Sequence, residues 1–515
     1  MAQQTGGRQR YRLCTAPFAL LVAYAPAACA QAMSGEPAGG ASSSVGASTD
    51  PRDAKIRALE SRIDALALEL RELKRMQESS IKEIPAAAAT PAPARVEVGI
   101  TNARPQINSA DGRFKFAVRG VGQFDAAEYK VRPLTAANDL ASGTDIRRAR
   151  LGVDGSAFGV WNFSLWGEFG GSGNEAAGLN QAFIEYAGFK PFAWADPIRL
   201  RAGAWATPVG LEDATPNTEL LFLERPAVEE MVRGLDAGDG REGVGLFATG
   251  PRWYVSAVLT GKTAGAGAGI FNQQEGFVTR AAVNPFHGKD YDLHLGASMQ
   301  GVLRPADTLA GPAKGYAISL AQQPELRVDD NGVKLVSTGA LTADRQTTYG
   351  AEIGVSFHNV YFAGEYFWLT VDRTAVGPAA SPFNPHVSGW YLQGAWTLTG
   401  EHRSWSSSNG GFRGIVKPRR DFDPAAGGWG AVELAARYSV LDLNDQPGLA
   451  GVATPFGGVR GGEQKIATFG LNWYPNSVIR FLFDYQHGVV RRLTATGASA
   501  DETLDDLSLR AQFAF

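Results

Sequence analysis

The feature that most constrains this chain is an alternation of apolar and polar side chains that runs from about residue 112 to the C-terminal end. In residues 432–439, apolar side chains occupy the even positions, whereas Glu433, Arg437 and Ser439 lie between them. A period of two predicts β-strands with one apolar and one polar face. The alternating segments are about 10 residues long, which is the length that a tilted strand needs to cross a membrane.

The composition agrees with a large β-barrel and excludes several other classes of protein. Glycine contributes 62 of 515 residues, aromatic residues make up 10%, and the net charge is only −3. The absence of a basic excess argues against a nucleic-acid partner. After residue 40 the sequence has no uncharged apolar run of 18 residues, which excludes a bundle of membrane-spanning helices.

Residues 1–30 have the three parts of an export signal. Basic residues extend to Arg12, an apolar core follows from Leu13 to Ala27, and Ala28-Cys29-Ala30 offers a cleavage site. The signal predicts export to the outer membrane of a Gram-negative-type cell. The alternatives are a short N-terminal anchor helix and a lipid attached to Cys29.

Both cysteines of the chain, Cys14 and Cys29, fall within this signal. A chain cleaved after Ala30 therefore has no cysteine, which removes disulfides, thiolate metal sites and cysteine nucleophiles together. A cysteine-free chain can also cross an oxidising compartment unfolded without mispairing.

Three segments are expected between the signal and the barrel. Residues 31–51, rich in Ala, Gly, Ser and Pro, are predicted to form a disordered linker, and residues 81–111 a second linker rich in Pro and Ala. Residues 52–80 are predicted to form a periplasmic coiled-coil helix, because apolar residues recur there at heptad spacing. The alternative is an amphipathic helix that packs on its own barrel. The seam residues are Ile56, Leu59, Ile63, Leu66, Leu70 and Leu73.

The number of strands follows from the alternation of short and long connections. Seventeen alternating segments can be counted if residues 313–322 form a strand, but an odd number places the short turn at His358-Asn359 on the wrong side of the membrane. Assigning 313–322 to a long outer loop leaves 16 strands. The predicted fold is therefore an all-β transmembrane protein, a 16-stranded antiparallel outer-membrane β-barrel spanning residues 112–515, with a short N-terminal coiled-coil helix. A barrel of this size leaves an aqueous channel.

Three groups of motifs, near the start, the middle and the end of the alternating region, support a more specific interpretation. They are Asp145-Ile-Arg-Arg-Ala-Arg-Leu-Gly152, then Gly203–Thr215 with Phe222–Arg225, and finally Trp390–Glu401, Val432–Ser439, Leu471–Asn476 and Leu509–Phe515. In order and spacing they resemble the phosphate-selective porin O and P family of outer-membrane channels. The resemblance implies a homotrimeric porin that passes phosphate or related anions along a ladder of arginines.

The polar faces of the strands supply the candidate anion path. An arginine stays charged and can pass an anion from one guanidinium to the next. Arg147 breaks the alternation and falls on the apolar face, where a position near the end of the strand would let it snorkel; it is included because the resemblance makes Arg147-Arg148 the best candidate site. The alternative role for the inward arginines is to brace the wall by pairing with inward acids such as Glu433 and Asp484. The candidates are Arg119, Arg147, Arg148, Arg150, Arg199, Arg201, Arg437 and Arg480.

The resemblance also implies a third loop, residues 207–239, that folds inward and narrows the pore. Phosphate-binding members carry lysines in this loop, and the matching positions here are Asp213 and Thr218. Eight acids against two bases give the loop a formal charge of −6, so multivalent anions are expected to be repelled there, which weakens the assignment to phosphate. The alternative is that these acids pair with the wall arginines. The constriction candidates are Glu212, Asp213, Thr218, Glu219, Glu224 and Arg225.

No pattern in the sequence predicts an enzyme. The six histidines are scattered, and no Gly-x-Ser-x-Gly motif occurs. We expect no cofactor and no metal site. The expected partners are small inorganic or organic ions, outer-membrane lipid and two further copies of the chain, without nucleic acid. The sequence therefore predicts a porin for passive diffusion of small solutes, with anions favoured. The alternatives are a structural or adhesive barrel, a barrel enzyme, and a porin for a solute other than phosphate.

Overall fold

The computed structural model describes residues 51–82, 96–101, 103–171, 177–265, 271–309, 315–374, 383–415 and 417–515. The predicted signal peptide and nearly all of the linker predicted at residues 31–51 lie outside this part of the chain. The chain divides into two compact units, residues 1–90 and 91–515.

The first unit contains one helix, α1, at Pro51–Lys82. Its side chains are described for residues 61–76, and there the predicted seam is solvent-exposed, with Ile63, Leu66, Leu70 and Leu73 between 58% and 64% accessible. The predicted helix is present, and its pairing into a coiled coil stays a prediction.

The described part of the second unit contains 21 strands, two α-helices and one short 3-10 helix. The strands are β1 Val96–Thr101, β2 Arg104–Ser109, β3 Lys115–Arg132, β4 Gly143–Ala157, β5 Trp161–Glu168, β6 Gly178–Phe189, β7 Ile198–Trp205, β8 Arg241–Gly250, β9 Trp253–Thr263, β10 Glu275–His287, β11 Tyr291–Arg304, β12 Ala317–Gln322, β13 Val336–Phe357, β14 Val360–Arg373, β15 His386–Thr397, β16 Trp405–Ser406, β17 Gly411–Phe412, β18 Ala431–Asp445, β19 Val459–Tyr474, β20 Ile479–Arg491 and β21 Glu502–Ala514. The helices are α2 Leu211–Ala214, α3 Ala227–Asp236 and the 3-10 helix Pro424–Ala426.

Sixteen of these strands form a closed antiparallel barrel, which confirms the predicted fold and strand number. The ring runs through β3–β11, β13–β15 and β18–β21, and it closes where β21 pairs with β3, from Thr503↔Arg132 to Ala514↔Val121. Among the described residues, no helix is long and apolar enough to cross a membrane.

Five of the described strands lie outside the ring: β12, the hairpin of β1 and β2, and the two-residue strands β16 and β17, which pair with each other. β12 pairs only with the outer part of β13, so the segment that upset the strand count is a strand of an outer loop. The hairpin of β1 and β2 corrects the prediction that residues 81–111 are all linker. Its signal was a short alternation, Val96, Val98 and Ile100 on one face, that the abundance of Pro and Ala nearby obscured.

The barrel wall has the inverted faces of a membrane protein. On β20, Phe481 and Phe483 are 36% and 43% exposed on the outer face, whereas Leu482 and Asp484 are buried on the inner face. Outward aromatic and aliphatic side chains would contact lipid, because they have no protein to pack against.

Three connections fold into the lumen and position the candidate site. The third loop, residues 206–240, joins β7 to β8 and carries α2 and α3. The fifth loop, residues 305–335, joins β11 to β13 through β12, and its Leu326 and Val328 join the buried cluster around α3. The long turn, residues 398–430, joins β15 to β18 at the opposite end of the barrel, where the other connections are short.

Candidate functional site

Helix α3 of the third loop is seated on the inner wall by apolar contacts and by hydrogen bonds at its first turn and its middle. Val228 and Val232 are buried in the cluster shared with the wall strands and the fifth loop. The Ala227 N–H, at the first turn of the helix, donates to Glu325 Oε1 of the fifth loop at 2.7 Å. The Gln300 Nε2 of β11 donates to the Val232 carbonyl at 2.6 Å. The loop is therefore held against the wall by side chains from several strands.

Glu224, fully buried in the third loop, accepts from three wall arginines. Its Oε1 lies 2.8 Å from Arg147 Nε and 2.7 Å from Arg510 Nη2, and its Oε2 lies 3.3 Å from Arg148 Nη2. Burial opposes ionisation of Glu224, but the three guanidinium groups outweigh it and hold the pKa of this carboxyl well below its usual range. The carboxylate is therefore the ionic clamp between the loop and the wall.

The position of Arg147 corrects the expectation that it lies on the apolar face. Between the pairs Gln123↔Arg148 and Asp125↔Asp145, two residues of β4 lie opposite a single residue of β3. Such a β-bulge shifts the alternation, so that consecutive side chains can face the same side of the sheet. Arg147, only 2% exposed, consequently points inward to Glu224 beside Arg148.

Most of the other acids of the third loop are paired with arginines, so the loop does not present its formal charge of −6 to the lumen. Arg233 Nε lies 2.6 Å from Asp213 Oδ1, and Arg150 Nη2 lies 2.8 Å from Asp239 Oδ2. Burial disfavours the charge on Asp239, but Arg233 and Arg150 prevail and lower its pKa. Five of the eight acids form ion pairs with arginine, namely Asp213, Glu219, Glu224, Glu230 and Asp239.

Two further constriction candidates, Arg225 and Glu212, hold the loop's own shape. Arg225 Nη2 donates to the Thr215 carbonyl at 2.9 Å, and its Nε donates to the Glu212 carbonyl at 3.3 Å. The Glu212 carboxylate accepts from Gln393 Nε2 of β15 at 2.7 Å. Both side chains are buried, so neither faces a passing solute.

A cavity of about 300 Å³ lies between residues 216–219 of the third loop and the inner wall. Its charged side chains are Arg104, Arg119, Arg148, Arg150, Arg413 and Arg480, with only two acids, Asp154 and Glu219.

The arginines of this cavity differ in how fully they are engaged. Arg119 Nη1 lies 2.9 Å from Asp154 Oδ2, and its guanidinium lies 5.2 Å above the ring of Trp166. Arg480 donates to the Thr218 carbonyl at 3.3 Å. Within the described residues, the side chain of Arg104 has no hydrogen-bond acceptor and no acid partner. The cavity therefore retains donors that an anion could use.

The remaining predicted path residues brace the wall. Arg201 Nη2 lies 2.7 Å from Glu185 Oε2, and Arg199 Nη1 lies 4.0 Å from the same oxygen. Arg437 Nη2 lies 2.6 Å from Glu325 Oε2 of the fifth loop. Of the eight candidates, four line the cavity: Arg119, Arg148, Arg150 and Arg480.

Sequence reasoning missed Arg104 and Arg413 of the cavity. Arg104 lies at the start of β2, in the segment interpreted as linker, and Arg413 lies in the long turn. A signal for the long turn was present, because residues 398–430 are the one connection at that end of the barrel that is far too long for a simple turn. Among the described residues, no group of three or more His, Cys, Asp or Glu could hold a metal ion.

Comparison with known proteins gives one family and two curated relatives. The model of the family described as phosphate-selective porin O and P matches residues 116–515. Porin O of Pseudomonas aeruginosa is 24% identical over 427 residues, which cover 80% of this chain and 90% of that protein. An uncharacterised protein of Caulobacter vibrioides is 27% identical over 428 residues, 78% of this chain and 75% of the relative.

Among solved structures, the trimer form of OmpT, an outer membrane protein of Vibrio cholerae, is similar with a TM-score of 0.45 and 11% identity. The alignment covers 78% of this chain and 99% of that one.

Proposed function

The chain belongs to the phosphate-selective porin O and P family, and on this premise we propose that small anions cross its barrel through the arginine-lined cavity beside the third loop. It is an outer-membrane porin through which small solutes diffuse passively. The observation that carries the anion preference is the excess of six arginines over two acids in the cavity lining.

The chemistry of the cavity favours anions for two reasons. Guanidinium groups keep their charge at all physiological pH values and offer paired donors to carboxylate or phosphate oxygens. The acids of the third loop, which would repel an anion, are engaged with arginines or turned into the wall. Among the described residues of the lining, Arg104 and Arg480 form no ion pair with an acid, so their positive charge stays available to an anion.

Phosphate itself is a weaker proposal than anions in general. The positions that match the lysines of phosphate-binding members are Asp213, paired with Arg233, and Thr218, whose carbonyl accepts from Arg480. Neither supplies an ammonium group. We therefore propose a preference for small anions without tight phosphate binding.

Reversal potentials of the purified protein in planar bilayers, under a KCl gradient, test this proposal. We expect open single-channel steps with chloride more permeant than potassium, and little block of the chloride current by millimolar phosphate. Cation preference would refute the anion path. A barrel that shows no conductance would instead favour the structural or adhesive alternative.

The variant Arg104→Gln tests whether the anions pass through the arginine-lined cavity. Arg104→Gln removes a charge whose loss leaves no acid unpaired, so we expect an intact barrel with a chloride-to-potassium permeability ratio reduced roughly two- to fivefold. The matched control is Arg491→Gln, an exposed arginine at the outer end of β20. Equal ratios for both variants would place the path elsewhere.

The family and fold are those of a channel rather than an enzyme, and we propose no catalytic activity. We further propose a homotrimer embedded in outer-membrane lipid. The exposed heptad seam of α1 supports self-association, since apolar side chains at this spacing are covered when helices pair.

A further inference from the structure

Helix α3 carries two acidic side chains, Glu229 in its first turn and Asp236 at its last residue, that are both completely buried. In the part of the chain that the structure describes, neither forms an ion pair with an arginine or a lysine. They lie seven residues apart, so both project from the same face of the helix toward the wall. A buried ionised carboxylate without a cation is costly, and this places a constraint on how the helix can be seated.

Glu229 faces a second carboxyl group on the wall. A methyl group added at Gly210 would lie 2.8 Å from Glu229 Oε1 and closer still to Glu365 Oε1, so the two carboxyls flank the same backbone atom. Glu365 is already occupied by the Leu211 N–H at 2.6 Å and the Tyr391 hydroxyl at 2.5 Å. Neither oxygen of Glu229 has a hydrogen-bond partner among the described residues. Two adjacent carboxyls of this kind are compatible only when at least one holds a proton.

The surroundings of Glu229 add little positive charge. The charged and titratable groups that face it are Glu365 on β14, Tyr391 on β15, Glu212 and Asp213 on α2, and Arg225. Arg225 is the single cation in this set, and its guanidinium is directed to the Thr215 and Glu212 carbonyls.

Asp236 is held by neutral donors. Its Oδ2 accepts from Thr260 Oγ1 of β9 at 2.6 Å, and its Oδ1 accepts from Gln274 Nε2 at 2.9 Å. The nearby cation, Arg241 on β8, donates instead to the Leu235 carbonyl at 3.4 Å. An ionised Asp236 would also add negative charge to the C-terminal end of the helix dipole, which is unfavourable.

Both groups lie outside the membrane-spanning strands, and their acidities agree with this geometry. Burial, followed by the charges of Glu365 and Asp213, raises the pKa of Glu229 well above its usual range. Burial raises the pKa of Asp236 to about 7, despite its hydrogen bonds to Thr260 and Gln274 and the charge of Arg241.

We propose that protons on Glu229 and Asp236 hold α3 on the barrel wall, and that the third loop loosens as the pH rises from acidic values through neutrality. The inference rests on the proposed function in one respect, namely that the third loop sets the width of the pore. Carboxyls that must be protonated to stay buried stabilise the seated helix at low pH and lose that effect as the pH rises through their native pKa. Between the ordinary pKa of each carboxyl and its raised native pKa, each unit of pH should therefore increase the ratio of unseated to seated helix by up to about tenfold per group, and above the native pKa that ratio should level off.

Thiol labelling of the full-length protein tests directly whether α3 leaves the barrel wall as the pH rises. Val232→Cys places a thiol on the buried face of α3, where it reacts only when the helix leaves the wall, and Gly234→Cys places one on the exposed face of the same helix. Cys14→Ser and Cys29→Ser remove the other thiols. The ratio of the two labelling rates cancels the intrinsic pH dependence of the thiol. We expect this ratio to rise about tenfold or more from pH 5 to pH 6 and to level off once the pH exceeds the native pKa of both groups.

Asp236→Asn and Glu229→Gln, each in the Val232→Cys background, supply neutral side chains of nearly the same shape. In the first variant, the introduced amide can still accept from Gln274 through its oxygen and can donate to the Thr260 hydroxyl through its nitrogen. Either variant should make the ratio rise less steeply with pH. A labelling ratio that does not change with pH in the parent protein would contradict the proposal. An undiminished rise of the ratio with pH in both variants would contradict it as well.

Conductance of the same preparations separates this inference from the proposed function. We expect the mean single-channel conductance of the parent protein to increase between pH 5 and pH 8 and that of Asp236→Asn to change less. Open channels whose conductance does not change with pH would contradict the pH-dependent seating of α3 and leave the proposed function intact. The absence of channels would contradict the proposed function, while the labelling ratio would still show whether α3 leaves the wall as the pH rises.

Discussion

At the scale of single residues, the lumen is organised by carboxylates that each serve more than one donor. Glu224 serves three arginines, and Glu433 accepts from Arg403 at 2.7 Å and from the Tyr474 hydroxyl at 2.8 Å. Glu352 accepts from Arg280 at 2.6 Å. Because all of these groups are buried, removal of one partner leaves a charge without compensation, at a typical cost of about 3–5 kcal/mol.

Glu224→Gln should therefore destabilise the third loop and expose the charge of Arg147 and Arg148. We expect a lower temperature for the loss of the folded, SDS-resistant barrel and an increased preference for anions in bilayers. Because the pKa of Glu224 is lowered in the folded protein, its ionised carboxylate stabilises the fold above the pKa of the unfolded chain, and this contribution is lost as the pH falls. The difference in stability between the variant and the parent should therefore shrink from pH 7 to pH 3.

The matched control is Glu275→Gln, because Glu275 pairs with Arg304 at an exposed site. Such surface pairs contribute about 0–1 kcal/mol, so this variant should behave like the parent. Equal losses in both variants would contradict the clamp assigned to Glu224.

At the scale of elements, the third loop and the long turn enter the barrel from opposite ends and meet. Arg413 of the turn forms an ion pair with Glu219 of the loop. Phe412 of the turn and Leu211 of α2 are both almost completely buried in one apolar cluster. The width of the pore thus depends on two connections that support each other.

Phe412→Ala should release this contact. Loss of a fully buried phenylalanine typically costs about 3–5 kcal/mol, and here the loss falls on the junction of two loops and spares the wall strands. We expect a higher and noisier single-channel conductance from a barrel that still forms. Phe422→Ala, in the same turn at a position that is 42% exposed, should leave the conductance unchanged. An increase in both variants would indicate a general disturbance of the turn.

At the scale of the whole molecule, two units contribute different properties. The barrel is complete within one chain, since β21 pairs with β3 along their length and closes the ring. Helix α1 has its heptad seam exposed in the single chain. The channel is therefore built within one chain, whereas the helix carries an exposed apolar seam.

The double variant Leu66→Ser/Leu70→Ser should weaken association of the chains without closing the channel. Each leucine buried in a helix interface contributes about 1.5–3 kcal/mol, so a fall of at least tenfold in the association constant is expected by analytical ultracentrifugation in detergent. Leu68→Ser is the control, because Leu68 is also exposed but lies off the seam. Unchanged association in the double variant would assign the seam to a different partner.

The alternation of side chains, together with the alternation of short and long connections, was sufficient to predict the barrel and its 16 strands, because each strand must present one face to lipid and one to water along its whole length. It could not predict which arginines line the cavity, because pairing with Glu224 or Glu325 depends on loops that are distant in the chain. The bulge that turns Arg147 inward depends on the pairing of β3 with β4, and the long turn is positioned by its contact with the third loop across the lumen. Periodicity is a local property, whereas the charge that a solute meets is set by which buried groups the closed barrel brings together.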